Sequence, residues 1–223
     1  MAIYRLNKRD DFGYPIPYDS ASSAGLLISK MPQKGLVFYS ALTSAEGFEV
    51  TGNPQFVTKD GIPCVYFDGE SYFKTEVDDM PQGSSPRSIA VYFYIEDFNG
   101  DTGIVATCGG GAENTLYDVC LSPQRKIYIQ GWSNDTYYSF KPDVGRFYHL
   151  TITLESDGTE KLYVNGELIE TKDHSGLGSS GNDIWVGSNY GDYLFTGYIA
   201  ALRIYNRALS LDEITLLAGE FSA

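Results

Sequence analysis

Residues 149–172, HLTITLESDGTEKLYVNGELIETK, decide the fold class of this chain. Asp157-Gly158 separates a first β-prone run from a second, and Asn165-Gly166 separates the second run from a third. Both dipeptides tolerate the positive φ that tight hairpin turns require. The stretch therefore predicts three consecutive strands that form an antiparallel meander.

The same alternation of β-prone runs and turn residues continues on both sides of this meander. From Gly35 onward, short β-prone runs are separated by Gly, Asn, Asp and Pro, which is typical of a β-sandwich. In SIAVYFYI (88–95) one strand face carries Ile89, Val91, Phe93 and Ile95, and the other carries Ala90, Tyr92 and Tyr94. We predict two stacked antiparallel sheets over residues 35–223, preceded by an N-terminal arm or linker over 1–34.

A short helix is predicted at the C-terminal end. Ser210 and Glu213 have the spacing of a capping box, in which each side chain bonds the backbone of the other residue. Gly219 is a typical helix stop. The helix should cover roughly residues 210–218.

Composition and charge restrict the classes of partner. Hydrophobic residues make up 43% of the chain and aromatic residues 14%, enough to bury a core. The 29 acidic and 16 basic residues give a net charge of −13, which repels nucleic-acid phosphates and anionic membranes. We therefore expect no nucleic-acid partner and no membrane insertion.

The N-terminus and the cysteines suggest where the chain folds. Residues 1–17 are charged and precede no apolar run, so no secretory signal is predicted. Cys64, Cys108 and Cys120 are odd in number and lie in apolar runs, which favours reduced core thiols. These features indicate folding in a reducing cytoplasm, with a virion surface as a possible final location.

Several segments resemble one known family. They are GLVFYSAL (35–42), YFDGESYF (66–73), SIAVYFYI (88–95), RFYHLTITL (146–154), KLYVNGELI (161–169), DIWVGS (183–188) and above all FTGYIAALRIYNRALSLDEI (195–214). In order and spacing they resemble the laminin-G-like branch of the concanavalin A-like lectin/glucanase superfamily. The resemblance implies a jelly-roll sandwich that serves as an accessory binding module for carbohydrate or protein ligands, often on cell-surface, secreted or viral proteins.

One string resembles a catalytic motif of the same superfamily. Glu155, Asp157 and Glu160 match the ExDxxE pattern of laminarinase-type glycoside hydrolases. Those enzymes need two carboxylates about 5 to 5.5 Å apart across the sugar bond. Here Asp157-Gly158 forms a turn, so we expect both glutamates to be solvated at an exposed hairpin, and the chain is predicted not to be an enzyme.

Neither histidine is predicted to be a ligand. His149 lies in a β-prone run and is expected to pack within a strand, whereas His174 lies in a Ser/Gly-rich loop and is expected to be solvated. No Cys/His metal spacing can be assembled from the remaining residues.

Calcium is the one cofactor that the sequence suggests. The loop EDFNGDTG (96–103) offers Asp97, Asn99 and Asp101, which carry the hard oxygen ligands that Ca²⁺ prefers. Many relatives carry a supporting acidic residue before the RIY segment, but residues 198–202 here read YIAAL. That departure puts a calcium ion held by this strand in doubt, and a polar loop without metal is the alternative.

Two inter-strand segments carry the features of a sugar site. A glycan needs an exposed aromatic face together with amide and carboxylate groups, and aromatics in loops are less easily explained as core. The predicted ligand residues are Trp132, Asn134, Asp135, Tyr137 and Tyr138 in the first segment and Asn189, Tyr190, Asp192 and Tyr193 in the second. The alternative is that these rings cover the ends of the sandwich or form an oligomer contact.

Three functional hypotheses follow. The first is a non-catalytic module that binds a glycan or a surface receptor through these two segments. The second is a structural or decoration protein of a phage head or tail, docked on a larger virion assembly through residues 1–34. The third, remote hypothesis is a laminarinase-type glycoside hydrolase.

Overall fold

Short strands are the main secondary structure of the described residues. The computed structural model describes residues 31–107 and 112–221. In these ranges the strands are β1 (Leu36–Ser40), β2 (Glu49–Thr51), β3 (Gln55–Lys59), β4 (Ile62–Asp68), β5 (Tyr72–Glu76), β6 (Arg87–Asp97), β7 (Thr102–Thr107), β8 (Asp118–Leu121), β9 (Ile127–Gln130), β10 (Thr136–Tyr137), β11 (Phe147–Leu154), β12 (Thr159–Val164), β13 (Glu167–Asp173), β14 (Asp183–Val186) and β15 (Thr196–Tyr205). A helix, α1 (Leu211–Ala218), follows β15.

The described strands form two antiparallel sheets. Sheet I has the order β13-β12-β11-β6-β15-β4-β3, with β1 paired to β15. Sheet II has the order β10-β9-β8-β7-β14-β5-β2. The prediction of an all-β, two-sheet antiparallel sandwich with a short C-terminal helix is therefore confirmed.

The main core lies between the two sheets. Val91 and Phe93 of β6 are fully buried in one cluster with Val119 of β8 and Ile129 of β9. The predicted alternation in β6 is observed, because Tyr92 lies on the other face, where its hydroxyl donates to the carbonyl of Leu217 at 2.9 Å. The outer face of sheet I is thus partly covered by α1.

The predicted meander is confirmed. Strand β11 pairs with β12, and β12 pairs with β13, both antiparallel. Asn165 and Gly166 alone connect β12 to β13, with φ values of 51° and 85°. The other connection is a four-residue turn in which the N–H of Gly158 donates to the carbonyl of Glu155 at 3.1 Å.

The predicted capping box is present at α1. The backbone N–H of Glu213 donates to the Ser210 hydroxyl at 3.4 Å, and the N–H of Ser210 donates to the Glu213 carboxylate at 2.9 Å. Gly219 ends the helix, as predicted, although with a right-handed φ of −85°.

The end of the predicted arm packs on the sandwich. Met31 is buried, the hydroxyl of Tyr205 donates to the carbonyl of Pro32 at 3.2 Å, and Arg207 Nε donates to the carbonyl of Lys34 at 2.8 Å. Residues 1–30 lie outside the described residues. The arm and its docking on a virion assembly therefore stay predictions.

Two of the three cysteines lie in the described ranges. Cys64 and Cys120 are buried free thiols, and burial raises the pKa of both. Cys108 lies outside the described residues. No helix in residues 31–107 and 112–221 has the length and hydropathy needed to span a bilayer.

Candidate functional site

A groove brings together the two segments that the sequence singled out. Its volume is about 470 Å³. The loop between β9 and β10 contributes Trp132, and the loop between β14 and β15 contributes Asn189, Tyr190, Asp192 and Tyr193; Leu116 and Gln130 complete the lining. Residues about 60 positions apart in sequence therefore share one surface depression.

The aromatic residues of this groove have unusual backbone conformations. Trp132, Tyr190 and Tyr193 have φ values of 55°, 54° and 51°, in the left-handed region. A bulky side chain there is strained, and such strain is concentrated at functional sites, where the surrounding structure maintains it. Trp132 and Tyr193 are nonetheless 44% and 54% exposed, so these rings face solvent and do not fill the core.

Hydrogen bonds hold the Trp132 loop, residues 131–135, in this conformation. The Asp135 carboxylate accepts from the N–H groups of Gly131 at 2.9 Å and Trp132 at 3.1 Å. The amide of Asn134 donates to the Asn114 side chain at 3.2 Å. Asn134 and Asp135, predicted as ligand residues, thus form bonds within the protein that present Trp132.

Asn189 has a similar supporting role in the second loop. It is buried, its backbone exchanges two hydrogen bonds with that of Asp192 at 2.9 Å, and its side-chain amide donates to Gln130. Asp192 is exposed beside Tyr193. The exposed carboxylate is therefore better placed than the buried amide to meet a sugar hydroxyl.

The two neighbouring tyrosines of the first segment differ in exposure. Tyr137 is 53% exposed and stacks on Tyr128, with ring centroids 5.0 Å apart. Tyr138 is 1% exposed, and its hydroxyl donates to Glu160 at 2.8 Å. The prediction that Tyr138 is a surface ligand residue is wrong, because strand alternation turns it into the core.

Glu160 and His174 form a buried pair beneath the Trp132 loop. Both side chains are fully buried, and Nδ1 of His174 lies 2.9 Å from Oε2 of Glu160. Nε2 of His174 lies 2.8 Å from the carbonyl oxygen of Asn134. The expectation that both groups are solvated is wrong, since Glu160 is the second residue of β12, on its inward face, and is covered by the loop after β13.

Electrostatics at this pair follow from burial and from the carboxylate. Burial lowers the pKa of His174, but the hydrogen bond and charge of Glu160 outweigh it, so the pKa lies above its ordinary value. Burial, and then the charge of Glu160, raise the pKa of Tyr138. Glu155, by contrast, lies on the surface in an ion pair with Lys161.

Sequence reasoning missed an aromatic strip on the outer face of sheet II. The ring of Trp185 lies 5.4 Å from that of Tyr72 and 5.5 Å from that of Tyr190, and Lys74 Nζ lies 5.3 Å from it. The alternation in DIWV, with Ile184 and Val186 buried, places Trp185 on the opposite face. The alternation is visible in the sequence, but it does not indicate whether other elements cover the outer face of the sheet.

The predicted calcium ligands line a second cavity beside the groove. Asp97, Asn99 and Asp101 border this space of about 470 Å³, which shares Asp192 and Tyr193 with the groove. Burial raises the pKa of Asp101. In the part of the chain that the structure describes, no three Asp, Glu, His or Cys side chains are grouped so as to hold a metal ion. Calcium at this loop stays a prediction.

Comparison with known families identifies the fold. A model of the Laminin_G_3 family, described as concanavalin A-like lectin/glucanases superfamily, matches residues 67–215. The chain belongs to this superfamily. The concanavalin A-like assignment confirms the resemblance found in the sequence.

Solved structures with this concanavalin A-like fold include several binding domains. Domain 4 of AbnA, an extracellular arabinanase from Geobacillus stearothermophilus solved with arabinotriose, is 20% identical with a TM-score of 0.66, covering 82% of this chain and 98% of its own. The receptor-binding domain of botulinum neurotoxin C/D mosaic serotype is 14% identical with a TM-score of 0.67, covering 84% of this chain and 51% of its own.

A third structure of similar fold is the binding domain of Paraclostridial Mosquitocidal Protein 1. It is 18% identical with a TM-score of 0.65, covering 84% of this chain and 52% of its own. The chain thus spans about half of each toxin binding domain. A search of curated proteins found no match. At these identities the likeness concerns the fold.

Proposed function

We propose that this chain is a non-catalytic module that binds a glycan in the groove between the Trp132 loop and the β14–β15 loop. The observation that carries the proposal is the left-handed backbone of Trp132, Tyr190 and Tyr193, three aromatic residues lining one groove. Aromatic faces stack on pyranose or furanose rings, and a few polar groups then fix the orientation of the sugar.

The polar part of the groove suits a neutral sugar. Gln130 and Asp192 lie in the lining with the rings, and no Lys or Arg is among the described lining residues. Carboxylate and amide oxygens accept hydrogen bonds from sugar hydroxyls. The solved complex of a similar domain with arabinotriose supports neutral oligosaccharides as the first ligands to test.

We propose a non-catalytic function because of where the carboxylates of the ExDxxE string lie. A retaining glycosidase needs two carboxylates about 5 to 5.5 Å apart on either side of the scissile bond. Glu160 is fully buried against His174, and Glu155 is engaged with Lys161 on the surface. Neither carboxylate is among the residues that line the groove.

The test compares Trp132→Ala with Leu168→Ala, which removes a comparably exposed apolar side chain from β13. We expect Trp132→Ala to weaken binding of arabinotriose, or of another oligosaccharide from a neutral glycan array, by about 2 kcal/mol, roughly 30-fold. Its free energy of unfolding should change by less than about 1 kcal/mol, because the side chain is 44% exposed and lies outside the core clusters. Calorimetry measures both quantities.

Two results would contradict the proposal. One is full affinity in Trp132→Ala for a glycan that the native chain binds. The other is the absence of binding to every glycan of the array by the native chain, which would favour a protein receptor or a structural role.

A further inference from the structure

A buried side chain from another part of the chain contacts the Trp132 loop, which also receives a hydrogen bond from the N–H of Asn114 to the carbonyl of Trp132 at 2.7 Å. Nε2 of His174 lies 2.8 Å from the carbonyl oxygen of Asn134, in the middle of the loop. Trp132 and Ser133 both have left-handed φ values, 55° and 72°, so the loop is strained and depends on such contacts. A change at His174 therefore reaches the backbone that presents Trp132.

The contacts of His174 define how many protons the network holds. A carbonyl oxygen can only accept, so Nε2 must carry hydrogen and donate to Asn134. Nδ1 lies 2.9 Å from Oε2 of Glu160, whose other oxygen accepts from the hydroxyl of Tyr138 at 2.8 Å. A second proton must therefore lie between Nδ1 and Oε2, because two lone pairs would otherwise face each other in a buried site.

We propose that His174 is a positioning residue for the groove and that the proton it shares with Glu160 makes ligand binding dependent on pH. This inference rests on the proposed function of the groove. When that proton leaves, the remaining imidazole hydrogen moves to Nδ1, where the Glu160 carboxylate attracts it. Nε2 then presents a lone pair to the Asn134 carbonyl, the hydrogen bond is lost, and the Trp132 loop loses one of the contacts that hold it.

The charges around His174 determine the direction of the effect. Glu160 and Asp135 both raise its pKa against the effect of burial, and the pKa of Asp173 is lowered by hydrogen bonds from Ser175 and, to a smaller extent, by His174. The titratable and charged groups on the surrounding elements are Glu160 on β12, Asp157 before β12, Tyr138 after β10, Asp135 in the Trp132 loop, Asp173 at the end of β13, and Tyr117, on which Arg87 stacks. The neighbouring carboxylates favour the protonated pair, so the loop is held at low pH and released as pH rises above the His174 midpoint.

The first experiment needs no ligand. The chain has two histidines and two tryptophans, so NMR can follow the ring signals of His174 and the indole N–H of Trp132 between pH 6 and 10. We expect both signals to change with one midpoint, above the ordinary histidine value, while the amide signals of the sheets stay unchanged. His149→Gln, which alters the other histidine, should leave this midpoint in place.

Glu160→Gln separates positioning from simple structural support. Its amide donates to Nδ1 of a neutral His174, which can then keep its hydrogen on Nε2 and its bond to Asn134 without the extra proton. We expect the Trp132 signal of Glu160→Gln to keep its low-pH position up to pH 10. His174→Gln, which cannot titrate, should likewise show no pH-dependent change at Trp132.

The second experiment measures arabinotriose affinity from pH 6 to 10. We expect the affinity of the native chain to fall by up to about tenfold per pH unit above the His174 midpoint, and that of Glu160→Gln to stay constant. The inference fails if the Trp132 signal does not follow His174, or if affinity is the same at all pH values. Coupled NMR signals without any arabinotriose binding would support the positioning role and count against the proposed ligand.

Discussion

Gly158 and Gly166 close the two turns of the meander under different constraints. Both have φ values near 85°, which only glycine adopts without strain. A Cβ on Gly158 would lie 2.8 Å from Cα of Ser175, the residue after His174, whereas a Cβ on Gly166 would lie 3.4 Å from Cβ of Ala218. The first turn is therefore packed against the loop that carries the buried pair, and the second has room.

These surroundings predict different costs for the same substitution. Gly166→Ala should destabilise the fold by about 1 kcal/mol, from backbone strain alone. Gly158→Ala should cost at least about 1 kcal/mol more, because the backbone of Ser175 must move. Urea unfolding of the two variants measures the difference, and equal losses would contradict the packing described for Gly158.

At the scale of elements, α1 is held on sheet I by specific polar contacts at both ends. Arg207 forms two hydrogen bonds with Glu213 near its start, and these lower the pKa of Glu213 to about 2. Beyond its end, Arg203 of β15 forms two with Glu220, at 2.7 and 2.8 Å. The helix is thereby oriented as well as capped.

The cap of α1 gives a prediction at the same scale. Ser210→Ala removes the acceptor for the N–H of Glu213, and we expect the free energy of unfolding to fall by about 1 kcal/mol. Ser210→Asp restores a side-chain acceptor and should recover most of that loss. Denaturant titration tests the pair, and an unchanged midpoint in Ser210→Ala would show that tertiary contacts alone hold the helix start.

At the scale of the whole molecule, the outer faces of the two sheets differ. Part of the outer face of sheet I is covered by α1 and the residues after it, which bury Tyr92 and leave His149 only 2% exposed. Sheet II keeps Trp185 and Tyr72 partly exposed on its outer face, beside the groove. Sheet II therefore carries the partly exposed rings that adjoin the groove, whereas the partly exposed rings of sheet I, Tyr66 and Tyr198, lie away from it.

The buried His149, on the covered part of the outer face of sheet I, makes the stability of the fold decrease at acidic pH. Burial, and then the charge of Arg203, lower the pKa of His149 to about 3, and neither ring nitrogen has a hydrogen-bond partner in the described residues. The unfolded chain binds this proton below about pH 6.5 and the folded chain does not, so stability falls as pH decreases from 6.5 toward 3. The effect of His174 on stability has the opposite sign, because its pKa is raised in the folded chain. The stability that it contributes is fully present below about pH 6.5 and is lost only as pH rises.

Between pH 6.5 and 5 we therefore expect the native chain to lose about 2 kcal/mol of stability through His149. His149→Leu removes the titrating group and should lose much less over the same interval. Thermal or denaturant unfolding at the two pH values provides the measurement. Parallel losses in both proteins would assign the acid sensitivity to other groups.

Local chemistry in the sequence was enough to predict the meander, the helix and the sandwich. Asn165-Gly166 favours a two-residue turn through its own backbone preferences, Ser210 and Glu213 cap a helix within one turn, and alternation assigns Val91 and Tyr92 to opposite faces. Each of these features depends on neighbours along the chain. For that reason the sequence by itself determined them.

Only the tertiary structure decided which polar and aromatic groups are buried. The turn-rich sequence around Glu160 and His174 predicts that both side chains are solvated. In the structure, packing of the β13–β14 loop onto the Trp132 loop encloses them. The convergence of Trp132 with Tyr193 in one groove likewise depends on how distant loops meet at one end of the sandwich. Burial and convergence are properties of contacts distant in sequence, which residue patterns along the chain do not specify.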